Sequence, residues 1–178
     1  MTPSPNVSER GARIQLLAMD VDGVLTDGSL YFAASGDELK AFSILDGQGL
    51  RLIQKQGLLT AFITGRTSAL TENRARNLDI DHLIQNRTDK LTALRELAER
   101  TSVPLEAMAY VGDDLPDLAA IETVGVGISV PNGCAAVRTA AQWCTTTPGG
   151  QGAIREVCEW LLACRGVLDQ LIDGYRAP

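Results

Sequence analysis

The sequence predicts an α/β fold, a parallel sheet with helices on both faces, and three observations point to it. Short apolar runs alternate with helical patterns along most of the chain. The runs are short, largely apolar and bounded by turn residues, as strands of a buried parallel sheet are. Acidic, hydroxyl and basic residues directly follow several of them, where open parallel sheets place their ligands.

Taken in order, residues 1–13 (MTPSPNVSERGAR) are polar and proline-containing, and read as a flexible tail before one domain over 14–178. The first strand is IQLLAM at 14–19. The segment 28–42, GSLYFAASGDELKAF, carries two strand-like runs around Ser35-Gly36-Asp37, which predicts a β-hairpin flap inserted before the first helix. A helix over 49–56 leads to the strand LLTAFIT at 58–64. A helix over 68–78, the strand HLIQ at 82–85 and a helix over 90–100 follow, the last with an apolar stripe of Leu91, Leu94 and Leu97. The strand AMAYVG at 107–112, a helix over 115–123, the strand VGVGIS at 124–129, a helix over 134–140 and one long helix from about residue 152 complete the alternation.

A length of 178 residues with 45% hydrophobic content suits one ordinary core. A net charge of -6 and a pI near 4.8 leave no cationic face for nucleic acid or an anionic membrane, so neither is expected as a partner. An anionic substrate must then be held by a local cluster of positive groups. The N-terminus lacks the apolar core of a secretory signal and no stretch is long and apolar enough to span a bilayer, so a cytoplasmic location is expected. Cys134, Cys144, Cys158 and Cys164 show no CxxC spacing and no nearby histidine ligands, which predicts reduced thiols. His82 reads as a strand-end or surface residue.

The strand ends carry the chemistry. The first runs into Asp20-Val21-Asp22-Gly23, the second into Thr64-Gly65-Arg66, and the fourth into Gly112-Asp113-Asp114-Leu115-Pro116-Asp117, while Lys90 opens the helix after the third. Carboxylates gathered around one crevice repel each other unless a hard cation neutralises them, and a few oxygen ligands with room for water suit Mg²⁺. Asp20 and Asp113 are the leading ligands, with the peptide carbonyl of Asp22 as a third. One carboxylate can then attack a phosphoryl group to form an aspartyl-phosphate that water hydrolyses. Thr64 and Lys90 can meet the phosphoryl oxygens, and Asp22 can serve as acid and then base.

The set DVDG, TGR, Lys90 and GDDLPD, in that order and on those elements, resembles the haloacid dehalogenase (HAD) phosphatase superfamily from Leu16 onward. Within it, DVDGVLTDG, the hairpin in place of a cap domain, DGQGLRL, YVGDDLPD and PGGQGAIREVCEWLL most resemble the phosphatases of 3-deoxy-D-manno-octulosonate (KDO) 8-phosphate. The resemblance implies a Rossmann-like HAD fold and a Mg²⁺-dependent hydrolase of lipopolysaccharide precursor biosynthesis. It implies Asp20 as nucleophile and metal ligand, Asp22 as acid/base and backbone ligand, Thr64 and Lys90 as phosphate contacts, and Asp113 as metal ligand. Asp114 and Asp117 would act through water. For the sugar acid it points to Asp22, Ser43, Ile44, Leu45, Asp46, Gly47, Arg51, Arg66, Arg74 and Lys90. It further implies a homotetramer in which the segment 149–156 reaches a neighbour's site. Because the flap is too short to roof a pocket alone, a neighbour completing the roof would cover Leu30, Phe32, Leu39 and Phe42.

Other readings stay open at this level. FSILDG has Ser43 and Leu45 where such phosphatases often carry asparagine and arginine, which leaves room for another sugar-acid phosphate such as a nonulosonate 9-phosphate. A phospho-accepting receiver domain also uses Asp, Thr and Lys at strand ends, but in the reverse order, with its acidic pair first. Arg51, Arg66 and Arg74 equally suit surface ion pairs, Asp114 could cap the following helix, and the glycines of TPGGQGA could form only a loose turn.

Overall fold

A computed structural model describes residues 3–176. Six parallel strands form the main sheet in the order β5-β4-β1-β6-β7-β8. They are β1 (Leu16–Met19), β4 (Leu59–Ile63), β5 (His82–Ile84), β6 (Met108–Gly112), β7 (Val126–Ser129) and β8 (Trp143–Cys144). The chain builds outward from β1 to β5 and then returns to the other side of β1. The resulting switch point opens a crevice beyond the carboxyl ends of the central strands. Met19 is in register with Phe62 and with Val111, so the residues just past β1, β4 and β6 end at nearly one level.

Side chains alternate across this sheet and divide the core in two. Leu17, Met19, Phe62, Val111 and Ile128 face α2 (Ile44–Lys55), α3 (Ala69–Asn77) and α7 (Ala153–Cys164). Leu16, Ala18, Ile63, Met108 and Tyr110 face α4 (Lys90–Thr101), α5 (Leu118–Thr123) and α6 (Ala135–Ala140). The expected parallel sheet with helices on both faces is therefore present. Its five predicted strands are joined by β8, a two-residue edge strand too short to carry a sequence pattern.

The tail expected over residues 1–13 is corrected within the described residues. Pro5–Gly11 forms α1, with Pro at its start, Val7 buried, and the Arg10 Nη1 donating to the Gly125 carbonyl at 2.9 Å. The helix expected over 49–56 starts earlier, at Ile44, with the Ser43 hydroxyl accepting from Leu45 N–H. Gly47 and Gly49 hid that start, because glycine argues against a helix interior. They are there for close packing: a Cβ on Gly49 would lie 3.1 Å from the Arg155 Cα, and one on Gly47 would lie 2.7 Å from the Arg74 Nη2. The long last helix is also two, since the chain turns at Gly166 (φ 70°) between α7 and α8 (Leu168–Arg176).

The flap is a small antiparallel ladder of β2 (Tyr31–Phe32) and β3 (Glu38–Leu39). Its Leu30, Tyr31, Phe32 and Leu39 side chains are exposed, as are the nearby Ile44 and Leu45. Phe42, expected on this outer face, instead packs against the core and lies under the Arg74 guanidinium, 5.7 Å from its ring centroid.

Candidate active site

Asp20 stands one residue past β1, tied to the sheet by its N–H donating to the Val111 carbonyl at 2.9 Å. Thr64 holds the same position past β4, through an N–H bond to the Ile84 carbonyl, and Asp113 past β6. Lys90 is the first residue of α4, whose N-cap Asp89 accepts from Thr92 N–H at 3.0 Å. These elements bring Asp20, Asp22, Thr64, Arg66, Lys90, Asp113, Asp114 and Asp117 around one crevice of about 290 Å³. A larger groove beside α2 and α8 has Lys55 as its one charged lining residue and offers no such chemistry.

Lys90 Nζ lies 2.5 Å from Asp20 Oδ1, donates to the Ile63 carbonyl at 2.7 Å and lies 3.6 Å from Asp117 Oδ1. Two of the three donors of this buried ammonium are hydrogen-bonded, and its approach to Asp117 is an ion pair without a hydrogen bond. Burial pushes the Asp20 carboxyl up to about 6, opposed by the Lys90 charge and helped by Asp117. Burial also pushes Asp113 up to about 7, with the negative charges of Asp20, Asp117 and Asp114 adding to the rise.

Oxygens of Asp20, Asp113 and Asp117 lie within 4.8 Å of one another. Their surroundings separate them. Asp117 is committed to the fold: Oδ1 accepts from the Tyr110 hydroxyl at 2.6 Å, and Oδ2 from the N–H groups of Asp113 and Asp114 at 3.0 and 3.1 Å. Asp113 Oδ1, by contrast, is buried with no hydrogen-bond partner. A buried carboxylate oxygen left unsatisfied beside other acids suits a hard divalent cation, which fits Asp20 and Asp113 as its side-chain ligands.

Asp22 is half-buried at the mouth. Its Oδ2 accepts from the Thr64 hydroxyl at 3.3 Å, and its Oδ1 pairs with Lys40 from the flap. Arg66 at the rim pairs with Glu38 of β3 at 2.7 Å. Behind the loop after β1, Asn132 donates to the Gly23 carbonyl at 2.8 Å and accepts from Gly149 N–H at 2.7 Å. A Cβ on Gly149 would stand 1.9 Å from the Gly23 oxygen, so this close approach requires glycine. The segment 149–156 thus braces the site loop of its own chain instead of forming a loose turn.

Several predicted substrate contacts do not line the crevice within one chain. Arg51 lies at the surface, bonded to Asp79 and to the Asn77 carbonyl at 2.8 Å. Asp46 is buried and accepts from Arg155 N–H at 2.8 Å, holding the start of α7; burial raises its carboxyl to about 6. Arg74 donates to the Ser43 carbonyl at 2.8 Å, and Gly47 packs against Arg74. Ile44 and Leu45 point outward. Conversely, sequence reasoning passed over Lys40, Asn132 and Tyr110. A single lysine or asparagine outside any motif carries no local signal of a partner 18 or 109 residues away, and Tyr110, though inside YVGDDLPD, reads as an ordinary buried strand residue.

A family model for haloacid dehalogenase-like hydrolases matches residues 80–156. The chain is 42% identical over 167 residues to the 3-deoxy-D-manno-octulosonate 8-phosphate phosphatase KdsC of Salmonella typhimurium, covering 94% of this chain and 89% of that protein. The corresponding protein of Escherichia coli K12 gives the same values. Among solved structures, the phosphatase of that name from Moraxella catarrhalis, in complex with magnesium ion, phosphate ion and a KDO molecule, is 46% identical with a TM-score of 0.93, over 95% of this chain and 97% of that one. The cobalt-bound enzyme of Haemophilus influenzae is 32% identical with a TM-score of 0.89, over 93% and 98%.

Proposed function

The chain belongs to the haloacid dehalogenase-like hydrolases, among the KDO 8-phosphate phosphatases, and we propose that its strand-end crevice is where the phosphate ester is cleaved. The protein is a magnesium-dependent phosphatase that hydrolyses KDO 8-phosphate to KDO and inorganic phosphate. The observation that carries the site assignment is the meeting of Asp20, Thr64, Lys90 and the partnerless Asp113 oxygen at one level beyond three adjoining strands.

Asp20 and Asp113 would hold the metal, with the Asp22 carbonyl as a third ligand. When bound, Mg²⁺ offsets the charge on the phosphoryl group and on the acids around it. An Asp20 carboxylate oxygen attacks phosphorus, the bond to the sugar oxygen breaks, and Asp22 gives that oxygen a proton. Water then attacks the phosphoryl group on Asp20 and passes a proton to Asp22, which frees phosphate and restores the nucleophile. Lys90 and the Thr64 hydroxyl, bonded here to Asp20 and Asp22, would each turn a donor to the phosphoryl oxygens. Arg66 is placed to meet the sugar acid at the rim.

The same reading makes the enzyme a homotetramer. The exposed apolar side chains of the flap and of the α2 start favour coverage by another copy. Ser43, Ile44, Leu45, Asp46, Gly47 and Arg74 would reach the sugar only through such an assembly, as would the segment 149–156 of a neighbour. Phosphate release with Mg²⁺ across KDO 8-phosphate, a nonulosonate 9-phosphate and hexose phosphates tests the substrate. A preference of at least about 10²-fold for KDO 8-phosphate is expected, and equal rates would overturn the selectivity.

A further inference from the structure

Lys40 is an unusual residue for a two-strand hairpin whose other side chains are largely exposed: its own side chain is 3% exposed. It leaves the end of β3, crosses to the loop after β1, and meets Asp22 Oδ1, with Glu38 Oε1 3.6 Å away. It does not line the crevice. Fold stability is a poor reason for this placement, because burying a lysine costs about as much as its ion pair returns. The pair also joins a flap to a reacting residue, and not one packed element to another.

A carboxylate ends in a torsion with a broad rotational preference, so one donor leaves its plane loosely set. Asp22 has two donors on opposite oxygens: Lys40 at Oδ1 from the flap, and the Thr64 hydroxyl at Oδ2, 3.3 Å away, from the strand end. We propose that Lys40 is a positioning residue which clamps Asp22 from the flap, so that Oδ2 alone is presented to the leaving oxygen. An ammonium on Oδ1 reserves that oxygen as an acceptor, and a proton on this carboxyl then sits on Oδ2, beside Thr64 and the crevice. Glu38, held by Arg66 Nη2 at 2.7 Å, keeps the lysine over Asp22 and ties the clamp to the rim.

This inference rests on Asp22 acting as the acid, and the test separates the two. A sugar alkoxide needs a proton as it leaves, whereas p-nitrophenolate does not. Lys40→Met should lower the first-turnover rate of leaving-group release from KDO 8-phosphate between about 10- and 100-fold, part of what general acid catalysis supplies, and that from p-nitrophenyl phosphate less than about 3-fold. KM for both should change little. Lys40→Arg, which keeps a donor, should recover most of the loss. In that same first-turnover rate Asp22→Asn should show the same substrate-dependent split, only larger, while loss of its base role slows the second step of both substrates alike. An equal loss on both substrates, or no loss on either, overturns the role of Lys40 while leaving the acid in place if Asp22→Asn still splits them. No split in Asp22→Asn removes the acid assignment itself. Should Lys40→Met fail to fold, Lys40→Gln against Lys40→Arg makes the same comparison, and matching ratios in those two would equally contradict the clamp.

Discussion

Asp20 and Asp113 are acids whose carboxyls burial holds at about 6 and about 7, and that has a measurable consequence. A carboxyl raised above its unfolded value favours the folded state at low pH, and that contribution is lost as pH rises from about 4 through the folded values. Above about pH 7 both groups are charged and close together, which is where a divalent cation binds best. The rise in Tm on adding Mg²⁺ should therefore be several degrees at pH 8 and small at pH 5.5. In Asp113→Asn the pH 8 rise should largely vanish, as measured by differential scanning fluorimetry; an unchanged rise would place the ion elsewhere. At this scale the sequence was informative where spacing carried meaning. Asp20, Asp22, Thr64, Lys90 and Asp113 follow strand ends or open a helix, and they meet in the crevice. Arg51, to which the resemblance pointed, lies outside the crevice of its own chain and is bonded to Asp79.

Two contacts between elements can be tested separately. Asp46 of α2 supplies the acceptor that the start of α7 lacks, since Gly152 at its N-cap has no side chain to do so. Asp46→Ala should cost about 1 kcal/mol, typical of a lost N-cap, read as a shifted urea midpoint with unchanged m-value. Gly149→Ala would drive a Cβ into the Gly23 carbonyl and push the loop carrying Asp22 out of place. It should destabilise by about 1–3 kcal/mol and lower kcat more than 10-fold; near-normal kcat would show that the brace is not needed. These contacts explain what the sequence concealed. Helix α2 was read short because Gly47 and Gly49 serve packing across elements, and β8 was missed because two residues on a sheet edge show no period. Periodicity reports which face is buried but not which backbone must pass close to another.

For the whole molecule, the parallel sheet with helices on both faces, the crevice at its strand ends and the flap were legible, because alternating strands and helices leave few arrangements, whereas the order of strands was not. The N-terminal helix was not, since its single turn or two is held by Val7 and Arg10 against distant elements. No helix among the described residues is long and apolar enough to cross a membrane. Under the proposed homotetramer, with the exposed Phe32 and Leu39 at its interface, Phe32→Glu with Leu39→Glu should lower the mass seen by light scattering from that of the unmutated protein while leaving the subunit folded, and an unchanged mass would contradict it. The account as a whole depends on Asp20 being the atom donor to phosphorus. Phosphate release from KDO 8-phosphate at saturating Mg²⁺ by Asp20→Asn, with its fold checked by circular dichroism, tests this most directly. A loss on the order of 10⁴-fold or more is predicted; a folded variant that turns over within 10-fold of the wild type would contradict it.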